Sequence, residues 1–375
     1  MKLKLNKSTK TTHKKLVYNV NWAPNNKLFS YSDDQKILMW DYNAENTGSF
    51  MDMDTAYISS DWSTTLKSGN ELLALGSEDG QLKIFNNAGK AEKSVSNAHN
   101  SSIICLQWSP DGSTIATGGE DGFLKTWSKQ AELRNSLVKD STPIYSIKWN
   151  HDASFILYST EKTLNILPVL KGGMKPLKWR AHDELILCVD WNHANKLIIS
   201  GGEDRKYKVW DEYGRNLYIS YQITSVITSV SWAPSGEYFA VGSFETIRLC
   251  SKTGWAHSIN KVDSGGIMSL SWSNDGTTLA AGGGNGSVII GSLVERIVSW
   301  QNLEIKLDES NRLILTDLEQ CTSTEIDFRD RLVDMKAGHG YLIVVTSSQC
   351  HIYAFHVSSA IFSKYNQYLI NYHRM

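Results

Sequence analysis

The sequence predicts an all-β fold, a seven-bladed β-propeller followed by the extra strands of an incomplete second propeller, and two repeating patterns lead to this prediction. The first pattern is a tryptophan that recurs with gaps of 40, 46, 41, 42, 41 and 40 residues along the 375-residue chain. A period in the low forties with four strand-like pieces per unit is typical of a WD40 propeller blade. The seven tryptophans are Trp22, Trp62, Trp108, Trp149, Trp191, Trp232 and Trp272.

Four short strands are expected in each unit. In the third unit, strands are predicted at Ser102–Trp108, Thr114–Gly118, Phe123–Trp127 and Leu133–Val138, with Asp-Gly pairs at two of the turns. Such pairs suit tight hairpins between antiparallel strands. The fifth unit repeats the order with predicted strands Leu185–Trp191, Lys196–Ser200, Tyr207–Trp210 and Leu217–Tyr221.

The second pattern is a polar set that occurs three times at one spacing. A His precedes the first strand by a fixed distance, a Ser or Thr follows on the second strand, and an Asp precedes a second Trp by six residues. We expect these side chains to hydrogen-bond inside a blade, because buried polar groups need partners. Ser, His and Asp also form hydrolase triads, but an active site occurs once per domain, so the repetition favours a structural role. The sets are His13, Ser30, Asp34 and Trp40; His99, Thr117, Asp121 and Trp127; His182, Ser200, Asp204 and Trp210.

The tryptophan repeat, and its end near residue 300, predict three regions. They are a seven-bladed propeller over 1–299, strands of a second propeller over 300–357, and an irregular tail over 358–375. The last blade of a ring needs an outer strand that ties it to the first, or an open edge remains. Lys2–Asn6 and Leu303–Leu307 are the two candidates, and the N-terminal segment is favoured because it joins the chain ends. Later strands are expected at Arg312–Thr316, Glu325–Phe328, Arg331–Lys336, Tyr341–Thr346 and His351–Phe355.

Composition argues against several kinds of partner. The formal net charge of −1 gives no general attraction to nucleic acid or to an anionic membrane. The six lysines between residues 2 and 15 are interpreted as guards of an edge strand, with a basic arm as the alternative. Five scattered cysteines favour a reducing compartment, and no apolar run approaches the length of a membrane span.

Catalytic chemistry is not expected. Gly282–Gly286 is glycine-rich, but it lies between two predicted strands and is interpreted as a hairpin turn and not as a phosphate cradle. The histidines do not cluster at metal-ligand spacing. Asp190, Asp211 and Glu245 are the acids that would have to face each other in a central channel for general acid and base catalysis, and nothing in the sequence pairs them. We therefore expect no cofactor, no small-molecule substrate and no enzymatic activity.

One turn is a candidate interaction patch. Arg205, Lys206 and Tyr207 follow Asp204 and combine two cations with an aromatic ring. Arginine and aromatic side chains are preferred anchors at protein interfaces. The alternative is a solvated turn without a partner.

Longer stretches resemble a specific family. Ala181–Asp183, Lys206–Tyr218, Phe239–Phe244, Lys252–Trp255 and Phe328–Arg331, together with Arg248-Leu-Cys250, resemble the intraflagellar transport protein 80 family from about residue 2 to about residue 356. Members of that family are WD-repeat subunits of complex B of the anterograde ciliary train, with two propellers in series and a helical repeat region. The final residues 358–375 do not match the family pattern.

The resemblance implies a non-catalytic scaffold of ciliary transport, in a form shorter than the family's full pattern. It implies other complex B subunits as partners, a place in the cilium or flagellum, the basal body and the cytoplasm, and a role in cilium assembly. A WD-repeat adaptor of another assembly, such as a vesicle coat or a ubiquitin ligase receptor, is the alternative.

Overall fold

The computed structural model describes residues 2–7, 13–42, 44–63, 71–169, 175–294, 297–308, 312–319, 322–354 and, for the backbone alone, 363–368. These residues form strands and turns without a helix, in nine sheets of four antiparallel strands. The chain divides into a large unit, Leu5–Gly291, and a smaller unit that contains Met1–Lys4 and Ser292–Met375. The long turn predicted in the second blade, Thr64–Asn70, lies outside the described residues.

Each of the first six blades is one sheet whose strands follow the chain from the innermost strand outward. Blade 1 contains β2 (Val17–Trp22), β3 (Leu28–Ser32), β4 (Lys36–Trp40) and β5 (Asn46–Asp52). Blade 2 contains β6 (Tyr57–Trp62), β7 (Leu72–Ser77), β8 (Leu82–Asn86) and β9 (Ala91–Val95). Blade 3 contains β10 (Ile103–Trp108), β11 (Thr114–Gly119), β12 (Phe123–Ser128) and β13 (Leu133–Lys139). Blade 4 contains β14 (Ile144–Trp149), β15 (Phe155–Thr160), β16 (Thr163–Pro168) and β17 (Leu177–Arg180); blade 5 contains β18 (Ile186–Trp191), β19 (Ile198–Gly202), β20 (Tyr207–Trp210) and β21 (Asn216–Ile219); blade 6 contains β22 (Ile227–Trp232), β23 (Tyr238–Ser243), β24 (Thr246–Ser251) and β25 (Ala256–Lys261).

The seventh blade is closed by the N-terminal strand. Its inner strands are β26 (Ile267–Trp272), β27 (Thr278–Gly283) and β28 (Val288–Val294), and β1 (Lys2–Lys7) lies outside β28 in the same sheet. The preference for the N-terminal segment over Leu303–Leu307 is therefore confirmed by the strand order. This pairing covers the edge that β28 would otherwise expose.

The large unit is a closed WD40 propeller. Its innermost strands contact one another in a complete circle, from β2 through β6, β10, β14, β18, β22 and β26 back to β2. The tryptophan that ends each innermost strand is buried against a neighbouring blade. Three of these indoles donate to a backbone carbonyl of the preceding blade: Trp22 to Ser271 at 3.2 Å, Trp149 to Gln107 at 3.2 Å and Trp272 to Ser231 at 3.1 Å. The tryptophan thus recurs about every forty residues because it occupies the same position at the contact between one blade and the next.

The smaller unit contains two further sheets. The first has β29 (Ile297–Trp300), β30 (Leu303–Leu307), β31 (Arg312–Asp317) and β32 (Thr322–Asp327), and the second has β33 (Leu332–Gly338), β34 (Tyr341–Thr346), β35 (Cys350–Ala354) and β36 (Ser363–Tyr368). Both sheets contribute to one core, in which Ile305 and Leu315 pack with Met335 and Val344. Within the predicted irregular tail over 358–375, residues 363–368 instead form β36, which pairs with β35, and the rest of this range lies outside the described residues. The predicted boundary between residues 299 and 300 falls within β29 and stays a prediction.

Candidate functional site

The polar set of blade 5 is a chain of short hydrogen bonds in the core of the blade. His182 Nδ1 lies 2.8 Å from the Asp204 carboxylate, and its Nε2 lies 2.7 Å from Ser200 Oγ. The Trp210 indole donates to the same Ser200 Oγ at 2.9 Å. Because an indole N–H can only donate, Ser200 accepts from it and gives its own proton to His182 Nε2. With Nε2 accepting from Ser200, the ring proton of His182 is on Nδ1, where it is donated to Asp204.

The structure brings together the other two sets with the same geometry. In blade 3, His99 lies 2.9 Å from Asp121 and 2.8 Å from Thr117, which accepts from the Trp127 indole at 2.8 Å. In blade 1 the corresponding bonds join His13 to Asp34 at 3.0 Å, His13 to Ser30 at 2.7 Å and Trp40 to Ser30 at 2.7 Å. All three histidine rings are fully buried.

Burial and hydrogen bonding act on the ionisable groups of the sets in blades 1 and 3. Burial lowers the pKa of His99 and of His13, and it outweighs the opposite effect of the facing carboxylate. Burial disfavours the ionised form of Asp121, but the hydrogen bonds from His99 and from the Asn100 amide outweigh it and lower the pKa of Asp121. The pair is therefore a neutral imidazole that donates to a carboxylate.

Each histidine also connects its blade to the blade before it. The backbone amide of His99 donates to Gly80 at 3.1 Å, and that of His182 donates to Lys162 at 3.2 Å. The His13 amide donates to Gly286 of the seventh blade at 3.1 Å. Gly286 has a φ of +86°, and a Cβ there would lie 2.3 Å from the His13 carbonyl oxygen, so only glycine fits this approach. The polar sets thus lie where neighbouring blades meet.

Two blades without the polar set use apolar side chains at the equivalent positions. In blade 6, Val241 pairs with Val230 as Ser200 pairs with Val189 in blade 5, and it packs with Ile223 and Cys250. In blade 2 the corresponding cluster is Met53, Leu75 and Phe85. A satisfied polar network and an apolar cluster are alternative ways to fill the same space without an unpaired donor.

A polar channel runs between the innermost strands, with a cavity of about 240 Å³. Lys148 Nζ lies 3.1 Å from Asp190 Oδ1 in its wall, and the other Asp190 oxygen accepts from the Trp232 amide at 2.6 Å. Asp61 accepts from the Trp108 amide at 2.8 Å, and burial raises the pKa of Asp61 to about 6.

Sequence reasoning missed Asp61 and Lys148. The signal was present, because both directly precede a blade tryptophan, as Asp190 does, and alternation along the strand places that position on the channel side.

The three acids that the sequence singled out do not meet. Asp190 pairs with Lys148 in the channel, whereas Asp211 lies after β20 and pairs with Arg215 at 2.6 Å. Glu245 is exposed in the turn between β23 and β24. The channel also contains the thiols of Cys105 and Cys188, and burial raises the pKa of both. Both thiols are therefore protonated at neutral pH and lack the nucleophilic thiolate form.

The candidate patch at Arg205, Lys206 and Tyr207 is corrected at one residue. Arg205 is exposed and Lys206 is half-buried, but Tyr207 is only 2% exposed. The Tyr207 ring belongs to the core between blades 5 and 6, and its hydroxyl donates to the Gly254 carbonyl at 2.9 Å. Alternation along β20 turns this ring inward, so the surface patch contains the two cations without it.

Metal-binding clusters and membrane-spanning helices are both absent from the described residues. There, no three His, Cys, Asp or Glu side chains form a group that could hold a metal ion. Within the same residues, no helical segment has the length and apolarity needed to cross a bilayer.

Two family models match parts of the chain. The model described as "WD domain, G-beta repeat" matches residues 6–41, 91–128, 174–211 and 250–290. The first three segments each end one residue after the tryptophan of a polar set, Trp40, Trp127 or Trp210. The model described as "IFT80 second beta-propeller" matches residues 295–364.

Curated relatives show a longer similarity. Proteins named "Intraflagellar transport protein 80 homolog" from Mus musculus and Rattus norvegicus are each 40% identical over 361 residues, which cover 94% of this chain and 46% of the relative. The "F-box-like/WD repeat-containing protein TBL1X" of Mus musculus is 26% identical over 192 residues, 44% of this chain and 34% of the relative. The chain spans about half the length of the mouse and rat relatives.

Proposed function

Because the chain belongs to the intraflagellar transport protein 80 family, we propose that it is a non-catalytic protein-interaction scaffold of intraflagellar transport complex B, acting in cilium assembly and anterograde ciliary transport. The observation that carries this proposal is the 40% identity over 94% of the chain, together with the match of the second-propeller model to residues 295–364. The proposal includes other complex B subunits as partners and a place in the cilium, the basal body and the cytoplasm.

The geometry supports a scaffold on physical grounds. Every blade uses both faces of its sheet to pack on its neighbours, and the ring is closed by β1. Such a ring keeps its shape while the loops at its rims vary, so recognition belongs to those loops and to the outer strands. In this proposal the three His-Asp-Ser/Thr-Trp sets hold blades in register, and the exposed Arg205 and the half-buried Lys206 contribute to a binding surface.

The test is recovery of partners from cells that build cilia. The tagged full chain is expressed in such cells, and the proteins recovered with it are identified by mass spectrometry. We expect complex B subunits to be recovered together with the chain, and an unrelated seven-bladed WD40 propeller with the same tag serves as the control. Recovery of a vesicle coat or a ubiquitin ligase in place of complex B would refute the proposal.

A variant separates the surface from the assembly. Replacing the two cations together, Arg205→Glu with Lys206→Glu, is expected to reduce recovery of the partners, because charge reversal at an interface opposes association. Lys129→Glu, in an exposed turn of blade 3, is the matched control.

A further inference from the structure

An exposed aromatic surface lies between the outer parts of blades 5 and 6. We call the set Tyr218, Tyr221, Arg248, Trp255 and Ile259 the interblade groove. Trp255 is 70% exposed, and its ring contacts the Tyr218 ring with a distance of 6.3 Å between the ring centroids. Tyr221 is 68% exposed and lies against Arg248, while Ile259 is the cross-strand neighbour of Arg248. Two contacts, Tyr218 with Trp255 and Tyr221 with Arg248, therefore join the outer parts of the two blades around one cation.

The cation of the groove has no carboxylate partner among the described residues. Arg248 is only 8% exposed, and its Nη1 makes a long hydrogen bond of 3.4 Å to the Tyr221 hydroxyl. Its Nε is buried and finds no acceptor in the described part of the chain. A buried guanidinium without an anion is costly, because the charge has lost water without gaining a counter-charge. Arg248 is thus prepared for an anion that the described residues do not supply.

Two other blades show how the same position is normally satisfied. In blades 3 and 5 the residue opposite the buried hydroxyl is a lysine, Lys125 opposite Thr117 and Lys208 opposite Ser200. The Lys125 ammonium donates to the Ala98 carbonyl at 2.6 Å, and that of Lys208 donates to the Ala181 carbonyl at 2.7 Å. In blade 6 the corresponding residue is Arg248, opposite Val241, and its hydrogen bond goes to a tyrosine hydroxyl at the surface.

We propose that the interblade groove binds an acidic extended segment of a partner protein. A carboxylate side chain of that segment pairs with the Arg248 guanidinium, and an adjacent apolar side chain packs on Trp255 and Ile259. Arginine favours such a site because its planar fork binds a carboxylate through two parallel hydrogen bonds. Arg205 adds a second positive charge near the groove. Gln222, which follows Tyr221 in the chain, accepts from Arg205 Nη2 at 2.8 Å when the Gln222 amide is oriented with its oxygen towards the guanidinium. This inference rests on the proposed scaffold role in one respect, which is that the chain binds another protein.

The experiment is a selection with displayed peptides. A phage library of random 12-residue peptides is selected against the immobilised full chain, and the binding of enriched peptides is then measured by fluorescence anisotropy. We expect enrichment of Asp or Glu next to a large apolar residue. Arg248→Gln should weaken binding of these peptides at least tenfold and Trp255→Ala about fivefold, whereas Arg248→Lys should retain part of the affinity. Phe244→Ala, which removes a ring that is 54% exposed and lies outside the groove, is the control and should bind as the wild type does.

Several results would overturn the proposal. They are enrichment without acidic residues, no enrichment, or equal binding by the wild type, Arg248→Gln and Trp255→Ala. Trp255→Ala keeps the test decisive if Arg248→Gln destabilises the fold, because the exposed Trp255 ring contributes little to the core. Recovery of complex B by the wild-type chain is a separate measurement. The scaffold role is therefore supported even if no peptide binds the groove, and peptide binding to the groove is supported even if the chain is recovered with an assembly other than complex B.

Discussion

Ser200→Ala tests the polar sets most directly, because this substitution removes one oxygen atom and nothing else. Ser200 is fully buried, and its hydroxyl joins the Trp210 indole to the His182 ring. An alanine at this position keeps the backbone and the Cβ, so the cavity left behind is no larger than an oxygen atom. Any loss of stability therefore reports the hydrogen bonds and not the packing.

The size of the loss follows from the two groups that the hydroxyl serves. Without it, the Trp210 N–H has no acceptor at 2.9 Å and His182 Nε2 has no donor at 2.7 Å. A buried polar group left without its partner costs about 1–3 kcal/mol. Two such groups give an expected loss of about 2–6 kcal/mol in the free energy of unfolding.

Ser159→Ala in blade 4 is the matched control. Ser159 is also fully buried, but its hydroxyl has no hydrogen-bond partner among the described residues. Removing a buried hydroxyl that makes no bond removes a desolvation cost. We therefore expect Ser159→Ala to leave the free energy of unfolding unchanged or to raise it by up to about 1 kcal/mol.

Urea-induced unfolding at pH 7.5, followed by tryptophan fluorescence and by circular dichroism, measures both variants against the wild type. The expected order of urea midpoints is Ser159→Ala at or above the wild type and Ser200→Ala clearly below it. If the two alanine variants unfold together, or if Ser159→Ala is the less stable, the hydroxyl of Ser200 does not organise the blade and the reasoning is refuted.

Three further predictions concern the indole, the channel and the imidazole. Trp210→Ala should lower the free energy of unfolding by about 3–5 kcal/mol in the same urea assay, because it leaves a cavity in a packed core; a loss below about 1 kcal/mol would contradict the burial of the ring. Asp61→Asn should stabilise the folded chain at pH 7.5 but not near pH 4, because burial raises the pKa of Asp61 to about 6 and the buried carboxylate costs free energy only where it is ionised. Equal stability of the variant and the wild type at pH 7.5 would contradict this prediction. Because burial lowers the pKa of His99 in the folded chain, the unfolded chain takes up this proton first on acidification. The contribution of His99 to stability is therefore present above about pH 6.5 and is lost as the pH falls through the pKa of the folded state. An NMR titration in which the His99 ring protonates above pH 6.5 would contradict this prediction.

The blade strands were largely predictable from local patterns. The predicted strand Tyr207–Trp210 has the observed bounds, and the predicted Ser102–Trp108 differs from Ile103–Trp108 by one residue. Alternating apolar residues, Asp-Gly turns and the closing tryptophan are all signals within ten residues of one another. The tail was harder, because β36 is defined by its pairing with β35 and not by a pattern of its own.

The candidate site was predictable only in part. The spacing of His182, Ser200 and Asp204 indicated partners, and the structure places these side chains together. The expectation for Tyr207 was wrong, because a turn residue that starts a strand can face inward, and the sequence does not show which way. Arg248 gave no signal, since an arginine in a strand is ordinarily solvated and its burial depends on the adjacent blade.

By itself, the sequence determined the number of blades, the indole that ends each innermost strand and the spacing of the polar sets, because each of these depends on residues close together along the chain or on their repetition. Only the tertiary structure decided that β1 closes the ring, that Lys148 pairs with Asp190 and that Arg248 is buried without a carboxylate partner among the described residues. These features arise where one blade meets the next or where the chain ends meet, and side chains some forty or more residues apart have no local pattern that fixes which of them will touch.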